Sequence, residues 1–207
     1  MIFVPEELPS APDKVFVLAS PTDVLHKLHW EIVQLKKAIV SKPEKIAYTH
    51  APAYFAFNCA VTAWHLADWV WEASASDQRA EILRRLRCGA AEASKSTFQK
   101  AIMERCRAIH ICRQIATGSK HMTVTQHPDP NVRVEMRWDS APARAGELKA
   151  GDPLARYYYR LVIHDSGVER SAVEIFEEAL NTWNRWLEEW YFKESSLYAV
   201  GKPLNRP

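Results

Sequence analysis

The chain has 207 residues, 47% of them hydrophobic and 25% charged, with a net charge of +2. That balance belongs to a folded globular chain long enough to bury a core without metal or disulfide staples, and it excludes disordered, collagenous and low-complexity classes. Six glycines leave little material for a glycine-rich phosphate loop, whereas eight tryptophans point to a core or an interface built on large rings.

Residues 1–20, with Pro5, Pro9 and Pro12, read as an extended arm. Ser20-Pro21 then opens a helix, with Ser20 as N-cap, proline at the first helical position and Asp23 in the first turn. Leu25, Leu28, Ile32, Leu35 and Ile39 give it one apolar stripe, and it ends near Ser41. The second helix, from about Pro52 to Ala73, is apolar nearly all round and is expected at the centre. Its remaining polar strip is Asn58, Thr62, His65, Asp68 and Glu72, whose partners must come from another helix. A short basic helix from Asp77 to about Cys88 stops at Gly89. A long helix follows from Ser96, with Ser96 and Gln99 as a capping box, to Thr117, with Gly118 as a left-handed C-cap.

The period then changes from helical to alternating. Met122–Gln126, Val132–Trp138 and Arg156–His164 read as strands, joined by a Pro-Asp-Pro-Asn turn and the loop Asp139–Pro153, with Asp165-Ser166-Gly167 as a hairpin turn. Ser171 and Glu174 form a further capping box before a last helix carrying Val173, Phe176, Leu180, Trp183, Leu187 and Trp190 at 3-4 spacing. The expected fold is mainly α: a four-helix-type bundle with a small antiparallel β insertion between the third and last long helices. One domain spans 1–207, divided into the arm (1–20), helices (21–118), β insertion (122–170), C-terminal helix (171–192) and tail (193–207).

Charge is unevenly spread. From Asp77 to Lys120 ten Lys/Arg face four Asp/Glu, and from Asp165 to Glu194 eight acids face three bases. The basic segment suits a phosphate backbone; the two segments also read as solvated helix faces of opposite sign. Cys59, Cys88, Cys106 and Cys112 form no C-x-x-C pair and read as reduced residues of an intracellular protein. The N-terminus does not have the pattern of a signal peptide, and the uncharged run 51–67 is interrupted by Asn58 and His65. A cytoplasmic location and no membrane partner are therefore expected.

Three places carry candidate chemistry. His65 and Asp68 share a face of the central helix, where a carboxylate beside an imidazole orients the ring and raises its basicity. Arg107, His110 and Arg113 recur at i, i+3 and i+6. Two guanidiniums beside an imidazole bind a phosphate and move a proton. Lys120 and His121 follow in a compact Ser-Lys-His turn as auxiliary anion contacts. A metal-dependent bundle enzyme would draw on His65, Asp68, Glu72, His110 and His121, but no H-E-x-x-H or paired E-x-x-H motif is present, so neither metal nor cofactor is expected. A non-catalytic interaction or immunity protein would use Trp183, Trp186 and Trp190 as a partner face, with Trp186 exposed off the core stripe.

The segments NCAVTAWHLADWVWE and RCRAIHICRQIATGSKH resemble a group of bacterial and phage proteins with a YHLxDW helix followed by CRxIAxxSKH. More loosely, the architecture resembles the HEPN superfamily, helical bundles that often act as ribonucleases in toxin–antitoxin and phage-defence systems. Arg105-Cys-Arg-Ala-Ile-His110 matches the R-x4-H form of that family's signature, although on a straight helix Arg105 and His110 lie about 140° apart. The resemblance implies metal-independent RNA cleavage in a homodimer. His110 would be the general acid or base, Arg105 or Arg107 would stabilise the pentacoordinate phosphate, and RNA would be the partner.

Overall fold

The computed structural model describes residues 16–40, 50–88, 93–121, 127–142 and 155–191. Over these the chain is mainly helical, with a small three-stranded antiparallel sheet. The arm up to residue 15, the Met122–Gln126 strand, the Gly89 stop, most of the Asp139–Pro153 loop and the tail lie outside the described residues.

Helix α1 (Pro21–Val40) starts where expected. The Ser20 hydroxyl accepts from the Asp23 amide at 3.2 Å, and the Asp23 carboxylate accepts from the Ser20 amide at 2.8 Å. These two bonds satisfy donors that the first turn otherwise leaves bare. Its stripe, Val24, Leu25, Leu28, Ile32 and Leu35, is buried. Helix α2 (Ala51–Ala73) is the central element, packed against α1, α4, α5 and α6. Ala60, Ala63 and Ala67 are fully buried, and small side chains let neighbouring helices come close. Thr62, Asp68 and Glu72 of the polar strip find partners on other helices, whereas Asn58 and His65 are exposed. Thr62 accepts from Lys27 Nζ of α1 at 2.6 Å, beside the Lys27–Glu31 ion pair, and Asp68 meets Lys95 at 2.9 Å and Gln99 at 3.1 Å.

Helix α3 (Ser76–Arg85) is the short basic segment. The long helix expected from Ser96 to Thr117 is two helices. Helix α4 (Lys95–Arg105) is capped by Ser94, whose hydroxyl accepts from the Thr97 amide at 3.2 Å, rather than by Ser96. Cys106 then takes an extended conformation (φ −139°, ψ 107°), and α5 (Arg107–His121) begins on a new axis. Neither proline nor glycine marks this break. Cys106 is buried, with its thiol 3.6 Å from Thr182 of the last helix, so packing rather than local propensity decides it. Gly118 lies inside α5 instead of capping it.

Strands β1 (Val132–Pro142), β2 (Ala155–Asp165) and β3 (Val168–Ser171) form the sheet in that order. The β2–β3 turn places Ser166 (φ 53°) and Gly167 (φ 85°) both in the left-handed region, the conformation that a two-residue type I′ hairpin requires. Helix α6 (Ala172–Tyr191) follows directly and buries Ile175, Phe176, Ala179, Leu180, Trp183 and Leu187. Leu161 and Ile163 of β2 belong to the same core, so the sheet is an extension of the helical core and not a separate lobe.

Candidate functional site

Helix α5 has two unlike faces. Ile109, Ile111, Cys112 and Ile115 enter the core, while Arg107, His110, Arg113, Ala116, Thr117, Lys120 and His121 line a groove of about 1140 Å³. The opposite wall of that groove comes from Trp64 and His65 of α2 and from Ser96, Gln99, Lys100, Met103 and Glu104 of α4, with His127 at one end. Its lining therefore holds Lys100, Arg107, Arg113 and Lys120 against the single carboxylate of Glu104, together with four imidazoles. The break at Cys106 makes this possible. It rotates α5 relative to α4, so that side chains of both helices face one opening.

At the sheet end of the groove lies a connected polar junction. Arg107 donates from Nε to Asp165 at 3.0 Å and from Nη2 to the same oxygen at 2.5 Å, and its Nη1 meets Asp129 at 2.7 Å. His110 Nε2 is 3.1 Å from the same Asp129 oxygen. A carboxylate only accepts, so Nε2 carries the proton and Nδ1 is the basic nitrogen. Gln114 holds the turn before β1 from both sides, donating to the His127 carbonyl at 3.0 Å and accepting from the Asp129 amide at 3.3 Å. Arg113 donates to the same carbonyl at 3.0 Å. The junction thus ties α5 to the turn ahead of β1 and to the β2–β3 turn.

Electrostatics set the protonation states. Burial and the neighbouring Arg107 guanidinium pull the His110 pKa below its ordinary value, and Asp129 offsets this only in part, so the ring is neutral near pH 7. Burial disfavours the charge on Asp129, but the Asn131 amide and Arg107 outweigh it and hold the carboxyl below its usual range. Asp165 is lowered chiefly by its hydrogen bonds from Arg107. The outcome is a neutral imidazole backed by an ionised carboxylate, with part of its side chain open to the groove.

Of the residues expected from sequence, Arg107, His110, Arg113, Lys120, His121 and His65 share this groove. Arg105 does not line it. It sits at the end of α4 and donates to the Leu86 carbonyl at 2.9 Å, tying α4 to the end of α3, because the break at Cys106 separates it from the α5 face. His65 and Asp68 do not form the expected pair: His65 is exposed, and Asp68 turns to Lys95 and Gln99. Trp186 is 7% exposed, not a surface ring, and stacks on Trp190 at 5.3 Å, so the α6 tryptophans face inward. Among the described residues no set of three or more His, Cys, Asp or Glu gathers as metal ligands. Cys59, Cys106 and Cys112 are buried free thiols and Cys88 is partly buried. No described helix is long and apolar enough to cross a membrane.

Asp129, Asp165, Gln114, Lys100 and His127 escape a sequence reading. Asp129 and Asp165 look like ordinary turn formers in His-Pro-Asp-Pro-Asn and Asp-Ser-Gly, and nothing local says that both will meet Arg107. Gln114, one turn beyond His110, was the available signal. What the fold and site define is a mainly helical protein with an appended sheet and a basic, imidazole-lined groove. No protein-family model, curated protein or solved structure matches the chain.

Proposed function

We propose that this chain is a metal-independent ribonuclease of HEPN-like type, built on a four-helix-type bundle of α1, α2, α5 and α6, that takes a single RNA strand into the α2–α4–α5 groove. The observation that carries this reading is the lining itself: four Lys/Arg side chains, one carboxylate and four imidazoles around one opening. A row of cations along a groove follows a phosphate backbone, and its binding weakens steeply with salt. His110, neutral and with Nδ1 as its basic nitrogen, takes the proton of a ribose 2′-hydroxyl. The 2′-oxygen attacks the adjacent phosphorus, the bond to the 5′-oxygen breaks, and that oxygen takes a proton from water. The products are a 2′,3′-cyclic phosphate and a 5′-hydroxyl. Asp129 steadies the imidazolium as it forms. Arg107 is already held by two carboxylates and Arg113 donates to the His127 carbonyl, so stabilisation of the phosphorane charge falls mainly to Lys120, with the two guanidiniums adding positive field.

Labelled single-stranded RNA incubated with the protein in EDTA tests this. Cleavage with cyclic-phosphate ends is expected. His110→Ala is expected to lower the rate by ~100-fold or more while leaving RNA affinity and the circular dichroism spectrum intact. Lys100→Ala with Lys120→Ala is expected to weaken binding and flatten its salt dependence. Absence of RNA binding at low salt overturns the proposal, and binding without cleavage removes its catalytic half.

A further inference from the structure

Strand β1 lies at the edge of the sheet. Among the described residues it has β2 on one side and no strand on the other. The β2–β3 turn fixes which of its backbone groups point outward. Asp165 and Val168 flank a two-residue turn and so form a hydrogen-bonded pair. Asp165, Ile163, Leu161 and Tyr159 therefore turn their N–H and C=O toward β3, and the residues between them turn theirs toward β1. Carried through the register, Arg133, Glu135, Arg137 and Asp139 bond inward to β2, and Val134, Met136 and Trp138 present their backbone groups at the outer edge, while the Val132 N–H turns back to the Asp129 carbonyl at 3.1 Å.

An edge of this length that no described strand covers invites another strand; charged side chains and a proline commonly guard such edges, and in β1 the only proline is the terminal Pro142. Here the charges alternate in sign along one face: Arg133, Glu135, Arg137, Asp139. Within the chain, at the half-exposed surface, Arg137 pairs with Glu169 at 2.6 Å, Glu135 with His164 at 3.1 Å and Asp139 with Arg160 at 3.7 Å, so a partner strand extends an existing ladder of alternating charge. The other face is apolar, and its outer residues are uncovered. Val134 and Trp138 are each 55% exposed, and Val134 and Met136 line a small apolar cleft with Phe57, itself 38% exposed.

We propose that β1 pairs antiparallel with β1 of a second copy of this chain, about a two-fold axis through Met136, joining the two sheets edge to edge. In this register Glu135 faces the partner's Arg137 and Arg133 faces the partner's Asp139, with each pair repeated by symmetry. On the apolar face Val134 meets the partner's Trp138, and Met136 meets its own symmetry mate. The residues with outward backbone groups oppose one another, as the hydrogen-bond ladder demands. Neighbouring registers fail on charge. An axis at Glu135 sets Glu135 against itself and Arg133 against the partner's Arg137. An axis at Arg137 sets Arg137 against itself and Glu135 against the partner's Asp139. Like charges directly opposite are destabilising, and β-branched–aromatic pairs are favourable. The interface uses none of the groove residues, so it stands independently of the RNA reading.

Light scattering on the full chain at micromolar concentration is expected to give the mass of two chains. Glu135→Arg puts like charges opposite the partner's Arg137 and is expected to raise the dimer dissociation constant by ~10-fold or more. Adding Arg137→Glu restores the pairing between chains; because Arg137 also holds Glu169 at 2.6 Å within its own chain, circular dichroism of both variants separates interface loss from misfolding. In a Cys88→Ser background, Met136→Cys is expected to cross-link to itself on mild oxidation, because hydrogen-bonded antiparallel partners have Cα atoms about 5.5 Å apart, within disulfide reach. Val134→Cys, two positions off the axis, is expected not to. A monomeric unaltered chain, a dimer indifferent to Glu135→Arg, or cross-linking of Val134→Cys in place of Met136→Cys overturns the proposal.

Discussion

On α6, Trp183, Trp186 and Trp190 form a wall of rings, with Trp183 edge-on to Trp186 at 5.5 Å and Trp186 stacked on Trp190 at 5.3 Å. Its polar requirement is small: the Trp183 indole N–H donates to the Ala63 carbonyl at 2.9 Å. On α5, the His110 junction consists of little but polar requirement. Two carboxylates, a guanidinium, an imidazole and an amide side chain meet where two turns of the sheet reach the helix. The wall is held by area and shape, which tolerate pH and salt. The junction is held by protonation states and by mutual satisfaction, so removing one member strands the others. The apolar wall and the polar junction thus sit on two helices that pack against each other.

Substitutions in each region sharpen that division. The largest effect is expected at the wall. Trp183→Ala empties a fully buried site and leaves the Ala63 carbonyl without its donor, and is expected to cost about 3–5 kcal/mol in chemical denaturation. A smaller loss is expected at the junction. Asp129→Ala removes the acceptor of His110 and one of the two carboxylates on Arg107, while Asp165 keeps its hold on the guanidinium. A cost of about 2 kcal/mol is expected, with RNA cleavage falling further than stability. The smallest effect is a slope in pH. His110 binds a proton less readily folded than unfolded, so the unfolded chain gains protons first as pH drops below about 6.5. Stability is expected to decline gently from pH 7 toward pH 5, and His110→Gln to flatten that decline. The ionised Asp129 and Asp165, with lowered pKa values, withdraw their contribution only in more acidic solution, below the ordinary carboxylate range near 4. A pH profile unchanged by His110→Gln would separate the imidazole from the stability of the junction.

Much of the helical frame is legible without coordinates. The Ser20-Pro21-Asp23 start, the stripe of α1, the all-round apolarity of α2 and the 3-4 run of α6 each follow from a periodicity or a cap that operates within a few residues. The hairpin at Ser166-Gly167 is legible for the same reason, since two consecutive left-handed residues call for a small or polar pair. Half of the site is legible as well. Arg107, His110 and Arg113 share a face by spacing alone, and they face the groove together. The break at Cys106 is not legible, because a cysteine amid helix formers carries no stop signal and the extended residue is selected by its fit against Thr182. With the break goes Arg105, which a straight helix would have kept on the same rod as His110. The inward turn of Trp186 is equally hidden, since a ring off the main stripe is buried only if its neighbours on α6 stack against it.

The amino-acid order alone determined where the main helices lie, which of their faces are apolar, that a β segment interrupts them, and that cations and imidazoles are concentrated near α5. These are local properties, set by side chains three or four positions apart on a helix or two apart on a strand. Only the tertiary structure decided that α4 and α5 separate and that Asp129 and Asp165 close on Arg107. It alone decided that Asp68 leaves His65 for Lys95 and that β1, among the described residues, has a strand on one side only. Each of these depends on groups many residues apart being brought within a few ångströms. That proximity is bought by burial of the common core, and no periodicity in the chain encodes it.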